Sequence, residues 1–221
     1  NFEGINLSFF DRSSARFETA FDGHVTPVSA RAGDSPALQL DAINEDGLLV
    51  VINETSPSKI TYKEWPKFLK FAEHKDFPNA EAAHIANGWS QEKFKESYTR
   101  HVKTLIGVGS GVGEDAAQGL ETEFVALTNP YADGFDGQMS VALNYQGTPR
   151  SDAQIEVFDR APDQSVSVTL HRTDAQGQAI IPVLKGHTYL FDAVVLRPAP
   201  ISDDPSDPVW ETLWAALTFA I

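Results

Sequence analysis

Leu213, Ala215, Leu217, Phe219 and Ile221 occupy every second position at the end of the chain. Side chains of a strand point alternately to opposite faces, so an unbroken period of two predicts a strand with one face on a core. The same grammar recurs upstream. Phe17, Thr19 and Phe21 run into Asp22-Gly23, Leu48 to Ile52 follow Asp46-Gly47, and Val141, Leu143 and Tyr145 run into Gln146-Gly147. Shorter alternations lie at Ile5, Leu7 and Phe9, and at Leu38 and Leu40. Later ones lie at Ile155 and Val157, at Val166, Val168 and Leu170, at Ile181 and Val183, and from Tyr189 to Val195. Alternation bounded by such turns predicts antiparallel strands, and about seven of them at 8–12-residue spacing in the second half predict a β-sandwich.

Between about residues 61 and 105 the period changes from that of a strand to that of a helix. Trp65, Phe68, Leu69 and Ala72 share a helical face, with Pro66 tolerable in a first turn. A second short helix fits Asn79 as its cap and Asn87-Gly88 as its stop. A third is expected from Ser90, with Phe94, Tyr98, His101, Val102 and Leu105 on an apolar face. Lys93, Glu96, Arg100 and Lys103 then fall on a solvated face, where spacings of three and four let their charges pair. Gly107 to Gly113 lacks the Gly-Lys-Ser/Thr ending of a phosphate loop and runs into Glu114-Asp115, so it reads as a flexible connection between lobes. The expected fold is mainly β with two sandwich-like lobes: an N-terminal one over 1–110 carrying the helical insertion 61–105, and a C-terminal Ig-like one over 111–221.

Charge narrows the partners. Asp+Glu outnumber Lys+Arg by 31 to 17, a formal balance of -14 over 221 residues, which repels nucleic acid and anionic lipid and favours cations and basic partners. The absence of Cys removes thiolate catalysis, Cys-ligated zinc and disulfides. No apolar run reaches the roughly 20 residues that cross a bilayer, so no direct membrane insertion is expected. The chain begins at Asn1 without Met or a signal-peptide pattern, and further residues are expected upstream.

The segments "EKFKESYTRHVKTLIGVG", "GLETEFVALTNPY", "VALNYQGTPRSDAQIEVF", "TDAQGQAIIPVLKGHTYLFDAVVLRP" and "WETLWAALTFAI" together resemble an uncharacterised bacterial family of exported proteins. Members are described as the periplasmic component of ABC-type cobalt or nickel transport systems. The likeness runs from about residue 50 onward. It implies a signal peptide, a periplasmic location and a transthyretin-like C-terminal sandwich, the turn "TDAQGQA" being the part most similar to such domains. Members usually carry a His in a short His-aromatic segment near the mature N-terminus, and that segment is not in this sequence.

Imidazole suits nickel or cobalt, so the six His residues are the natural ligand candidates. No pair has the i,i+4 or H-x-H spacing of a local site, so folding must assemble one. The candidate metal ligands are His74, His84 and His101, the first two standing near Glu73, Asp76 and Glu81. His171 and His187 flank the "TDAQG" turn, and His24 follows an Asp-Gly turn. Two acidic loops, Asn129 to Asp136 and Asp203, Asp204 and Asp207, carry oxygen ligands fit for a hard cation but no EF-hand pattern. Neither a G-x-S-x-G elbow nor an H-E-x-x-H pair occurs, and no enzyme is expected. Trp65, Trp89, Trp210 and Trp214 read as core anchors. The leading expectation is a non-catalytic periplasmic nickel or cobalt binding or accessory protein working with a membrane transporter subunit. The competing one is a protein- or glycan-interaction sandwich of the cell envelope.

Overall fold

The computed structural model describes residues 7–202, 204 and 206–221; Ile5 and Asp203 lie outside them. Among the described residues, thirteen strands and two α-helices follow in order. They are β1 (Ser14–Phe21), β2 (His24–Pro27), β3 (Gly47–Thr55), β4 (Ser58–Tyr62), α1 (Trp65–His74), α2 (Ala80–Ala86), β5 (Phe94–Val108), β6 (Thr122–Ala126) and β7 (Gln138–Tyr145). After them come β8 (Thr148–Pro149), β9 (Gln154–Arg160), β10 (Val166–Arg172), β11 (Gln178–Pro182), β12 (Thr188–Pro198) and β13 (Trp210–Ala220). A nine-stranded sheet runs β10-β9-β12-β13-β5-β3-β1-β2, with β4 also on β5, and a four-stranded sheet runs β11-β7-β6, with β8 on β7.

Two compact units emerge, each built from separate stretches of chain. The first takes residues 1–56, 100–193 and 215–221, the second 57–99 and 194–214. Strands β5, β12 and β13 contribute to both. The boundary expected at 110 therefore falls inside the first unit, because strands from both halves of the sequence enter one sheet.

As the alternation predicts, the protein is mainly β, and the first unit packs as a sandwich. Val50, Leu105, Ile155, Val157, Phe191 and Leu217 from the large sheet meet Phe124, Val141, Leu143 and Ile181 from the small one, all at most 3% exposed. Each such side chain contributes roughly 1.5–3 kcal/mol by leaving water. Asp22 (φ 47°) and Gly23 (φ 73°) turn β1 into β2, the left-handed pair that a tight hairpin requires. Leu7, Phe9, Leu38 and Leu40 form no strand: Leu7 and Leu40 are 69% and 45% exposed, and Phe9 stacks its ring on Phe17 at 5.9 Å outside any strand.

The third expected helix is instead β5. Phe94, Glu96, Thr99, His101, Lys103 and Leu105 are its buried residues. The spacing is that of a strand, with its parity shifted once between Glu96 and Thr99. Polar letters hid the period: Glu96, His101 and Lys103 face inward, and hydrogen-bond partners replace water at Glu96 and Lys103. Glu96 and Lys103 thus lie 3% and 1% exposed rather than on a solvated face.

The Gly107–Gly113 stretch is packed rather than a loose connection. A Cβ at Gly107 would stand 2.8 Å from Cγ of Tyr131, and one at Gly111, where φ is +66°, would stand 2.6 Å from the Tyr131 Cβ. Tyr131 donates its hydroxyl to the Leu105 carbonyl at 2.7 Å, and Asn129 Nδ2 donates to the carbonyls of Gly111 and Gly113. Glycine is needed here for close approach to a ring at Gly107 and Gly111, and at Gly111 for a left-handed backbone as well.

Candidate functional site

In the second unit α1 and α2 cover one cluster of rings. Phe68 and Ala72 of α1, Ala80 of α2, Phe94 of β5 and Trp210 of β13 are buried together, with Tyr62, Trp65, Phe77 and Trp89 packed against them. Pro66 sits in the first turn of α1, where no intrahelical N–H is lost, and Gly88 (φ 66°) follows the end of α2.

His84 lies at the centre of this cluster, fully buried. Its Nδ1 accepts the Trp210 indole N–H at 3.0 Å and its Nε2 donates to the Ser90 carbonyl at 3.0 Å, a set that one neutral tautomer satisfies completely. The rings of Trp65 and Phe94 each stand 4.6 Å away. Burial pushes the His84 pKa down, against the hydrogen bonds to Ser90 and Trp89 that favour the cation. The imidazole is a structural hub, with no lone pair left for a metal.

The other candidate ligands stand apart from such a role. His74 is exposed in the last turn of α1, and His101 is buried on β5 in the first unit with Nε2 3.9 Å from Glu54 Oε1. Among the described residues no three His, Asp or Glu side chains gather as a metal site. His187 pairs through Nδ1 with Asp159 at 2.6 Å, whereas His171 meets Thr169 at 3.2 Å, so these two do not meet across strands. The acidic loops are consumed locally. Asp136 accepts from the Gln138 N–H, Asp204 from the Ser206 N–H, and Asp207 from Ser202 and Lys59.

Glu96 was hidden in the sequence by the helical reading, yet it organises the sheet side of the second unit. Thr212 donates to its Oε1 at 2.5 Å and Tyr62 to its Oε2 at 3.0 Å, while Trp214 donates its indole N–H to the Thr212 oxygen. Desolvation raises the Glu96 pKa, opposed by these two hydroxyl donors; burial first and the carboxylate second raise that of Tyr62. A carboxyl whose folded pKa is raised contributes stability only at low pH, and the contribution is lost as pH rises through that pKa. Glu96→Gln keeps the hydroxyl partners and removes the charge. The expected result is a gain of ~1 kcal/mol at pH 7 that vanishes near pH 4, read from urea unfolding at the two pH values.

Beside this core opens a groove of about 330 Å³. Phe77, Pro78 and Ala83 line it from the helical pair and Leu196, Pro198 and Trp210 from the strands, with Asp76 at its edge. A second cavity of about 410 Å³ shares Asp76, Phe77 and Pro78 and adds the carboxylates of Glu73 and Glu81. Asp76 is held at φ +62° in the turn that separates the two. A concave, largely apolar lining that includes Asp76, next to a cavity lined by Glu73 and Glu81, suits a ligand with an apolar body and a positive charge.

The fold and this groove define a mainly β protein with a helix-covered second unit and no assembled metal centre among its described residues. Residues 11–197 match the family described as Domain of unknown function (DUF4198), and the chain belongs to that family. No curated protein and no solved structure matches the chain. No helix among the described residues is long and apolar enough to cross a membrane.

Proposed function

We propose that this chain is a non-catalytic accessory protein of the bacterial periplasm that docks a basic segment of a membrane transporter subunit, an apolar side chain of that segment filling the groove against Trp210. The observation that carries this reading is the groove itself, lined by apolar side chains and Asp76, with Glu73 and Glu81 in the cavity that shares Asp76, Phe77 and Pro78. The formal charge of -14 adds long-range attraction for a basic partner. Work in nickel or cobalt uptake then proceeds through contact with the transporter. Capture of the ion on His74, His84 and His101 has less support, since both ring nitrogens of His84 are engaged.

Photo-crosslinking in cells that export the chain tests the docking. A benzoyl-phenylalanine at Ala83 is expected to trap a transporter subunit, and Asp76→Lys to cut the yield at least about threefold, while a probe at the exposed Ile180 traps none. Equal products from both positions overturn the reading. Calorimetric titration of the full chain with nickel separates the alternatives: heat fitting a dissociation constant of about micromolar, abolished by His84→Ala in a folded variant, favours capture instead.

A further inference from the structure

Strand β10 ends the nine-stranded sheet, and no strand among the described residues pairs with its outer side. An open edge invites pairing, and folded proteins blunt it with proline, lysine or a cover. The other edges carry such devices. β2 ends in Pro27, β11 in Pro182, and β4 presents Lys59. β6 is covered by the segment bearing Asp115, whose carboxylate accepts the Ala126 N–H at 2.8 Å. β10 has no proline and no lysine across its whole length, V-S-V-T-L-H-R.

Backbone geometry tells which groups this edge offers. Ala161 N–H donates to the Ser165 carbonyl and Thr173 N–H to the Ala153 carbonyl, and the β9–β10 register runs without a shift between them. In an antiparallel ladder the residues bonded to the neighbour alternate, so Ser165, Ser167, Thr169, His171 and Thr173 turn their backbone groups to β9. Val166, Val168, Leu170 and Arg172 turn theirs outward. Three of these four also carry exposed apolar side chains: Val166 at 40%, Val168 at 49% and Leu170 at 60%.

We propose that β10 is a self-pairing edge through which two copies of this chain form an antiparallel dimer, with Val168 opposite Val168 on the two-fold axis. In that register Val166 lies opposite Leu170 and Leu170 opposite Val166. Each of the three pairs exchanges two backbone hydrogen bonds and joins two apolar side chains on one face. Ser167 meets Thr169 on the other face, where hydroxyls pair well. The same patch on both copies satisfies the symmetry of a closed dimer. The near-palindrome V-S-V-T-L is what points to a second copy, and from Val166 to Leu170 the strand has no charged residue, so two chains of formal charge -14 set no carboxylates against each other along the seam. A one-residue slip would set inward-facing backbone groups against outward-facing ones.

Sedimentation velocity of the full chain over about 1 to 200 μM tests the dimer. A concentration-dependent dimer is expected, and Val168→Lys, which sets two ammonium groups against each other on the axis, is expected to raise its dissociation constant at least about tenfold. The chain has no Cys, so Val168→Cys supplies a second readout independent of that variant's folding. A short bis-maleimide is expected to link Val168→Cys into a dimer, and to leave Val25→Cys, equally accessible on β2, monomeric. A monomer throughout the range overturns the proposal, even where a foreign strand peptide adds to β10. So does a dimer that Val168→Lys leaves unchanged, or linking that proceeds as fast from position 25.

Discussion

Lys103→Met is expected to destabilise the first unit by about 3–5 kcal/mol, measured by urea unfolding at pH 7 against the parent chain. Lys103 is 1% exposed in the middle of β5. Its ammonium donates to Asp115 Oδ2 at 2.7 Å, to the Ala116 carbonyl at 2.9 Å and to Glu123 Oε1 at 3.2 Å, so all three protons are placed. Methionine fills much of the volume, and the loss therefore falls on charge rather than packing. It leaves two buried carboxylates facing no cation, the costly half of a broken ion pair.

The two carboxylates share that loss unequally. Glu123 keeps three backbone donors, from Gln118, Gly119 and Leu120. Asp115 keeps the Ala126 N–H, and desolvation already raises its pKa against the pull of Lys103. Removing the ammonium raises that pKa further. A raised folded pKa gives back stability as pH falls, so the deficit of Lys103→Met is expected to shrink between pH 7 and pH 5. A deficit independent of pH would assign the loss to packing. Adding Asp115→Leu to Lys103→Met is expected to recover part of the deficit, since a buried group with no charge needs no partner.

β5 also marks where the sequence was legible and where it was not. Strands with apolar letters at every second position, such as β13 and β7, can be read directly, because burial there is driven by area alone. In β5 the inward positions Glu96, Thr99, His101 and Lys103 are filled by polar residues. Their burial depends on partners distant in the chain, Thr212 at 116 residues and Glu123 at 20, which local periodicity cannot contain. The groove shows the same limit. Its Trp210 and Leu196 walls come from strands more than a hundred residues beyond the helices that face them. Helices α1 and α2 were legible because their apolar faces and stop signals are local, whereas Asn79, expected as a cap, stands at the start of α2 but makes no side-chain capping hydrogen bond. The role of His84 was not, since its fixing partner, Trp210, lies 126 residues away.

Phe68→Ala is expected to cost about 3–5 kcal/mol, with the loss confined first to the second unit. The Phe68 ring is fully buried and touches most of the cluster: Phe94 edge-on at 5.2 Å, Tyr62 edge-on at 5.3 Å, Trp65 at 5.4 Å and Trp210 stacked at 5.9 Å. Truncation leaves a void among rigid rings that have few rotamers with which to refill it. The core of the first unit is a separate set of side chains, Ile155, Phe191 and Leu217 among them. Hydrogen exchange is therefore expected to lose protection over α1 and α2 while it persists on β9. Uniform loss across both units would show that the two cores melt as one. Because Trp210 forms both the floor of the groove and the donor that fixes His84, the same variant is expected to abolish crosslinking from Ala83. Phe68→Leu, which keeps most of the buried area, is expected to retain it. Crosslinking that survived the loss of the aromatic cluster would place the partner somewhere other than the groove.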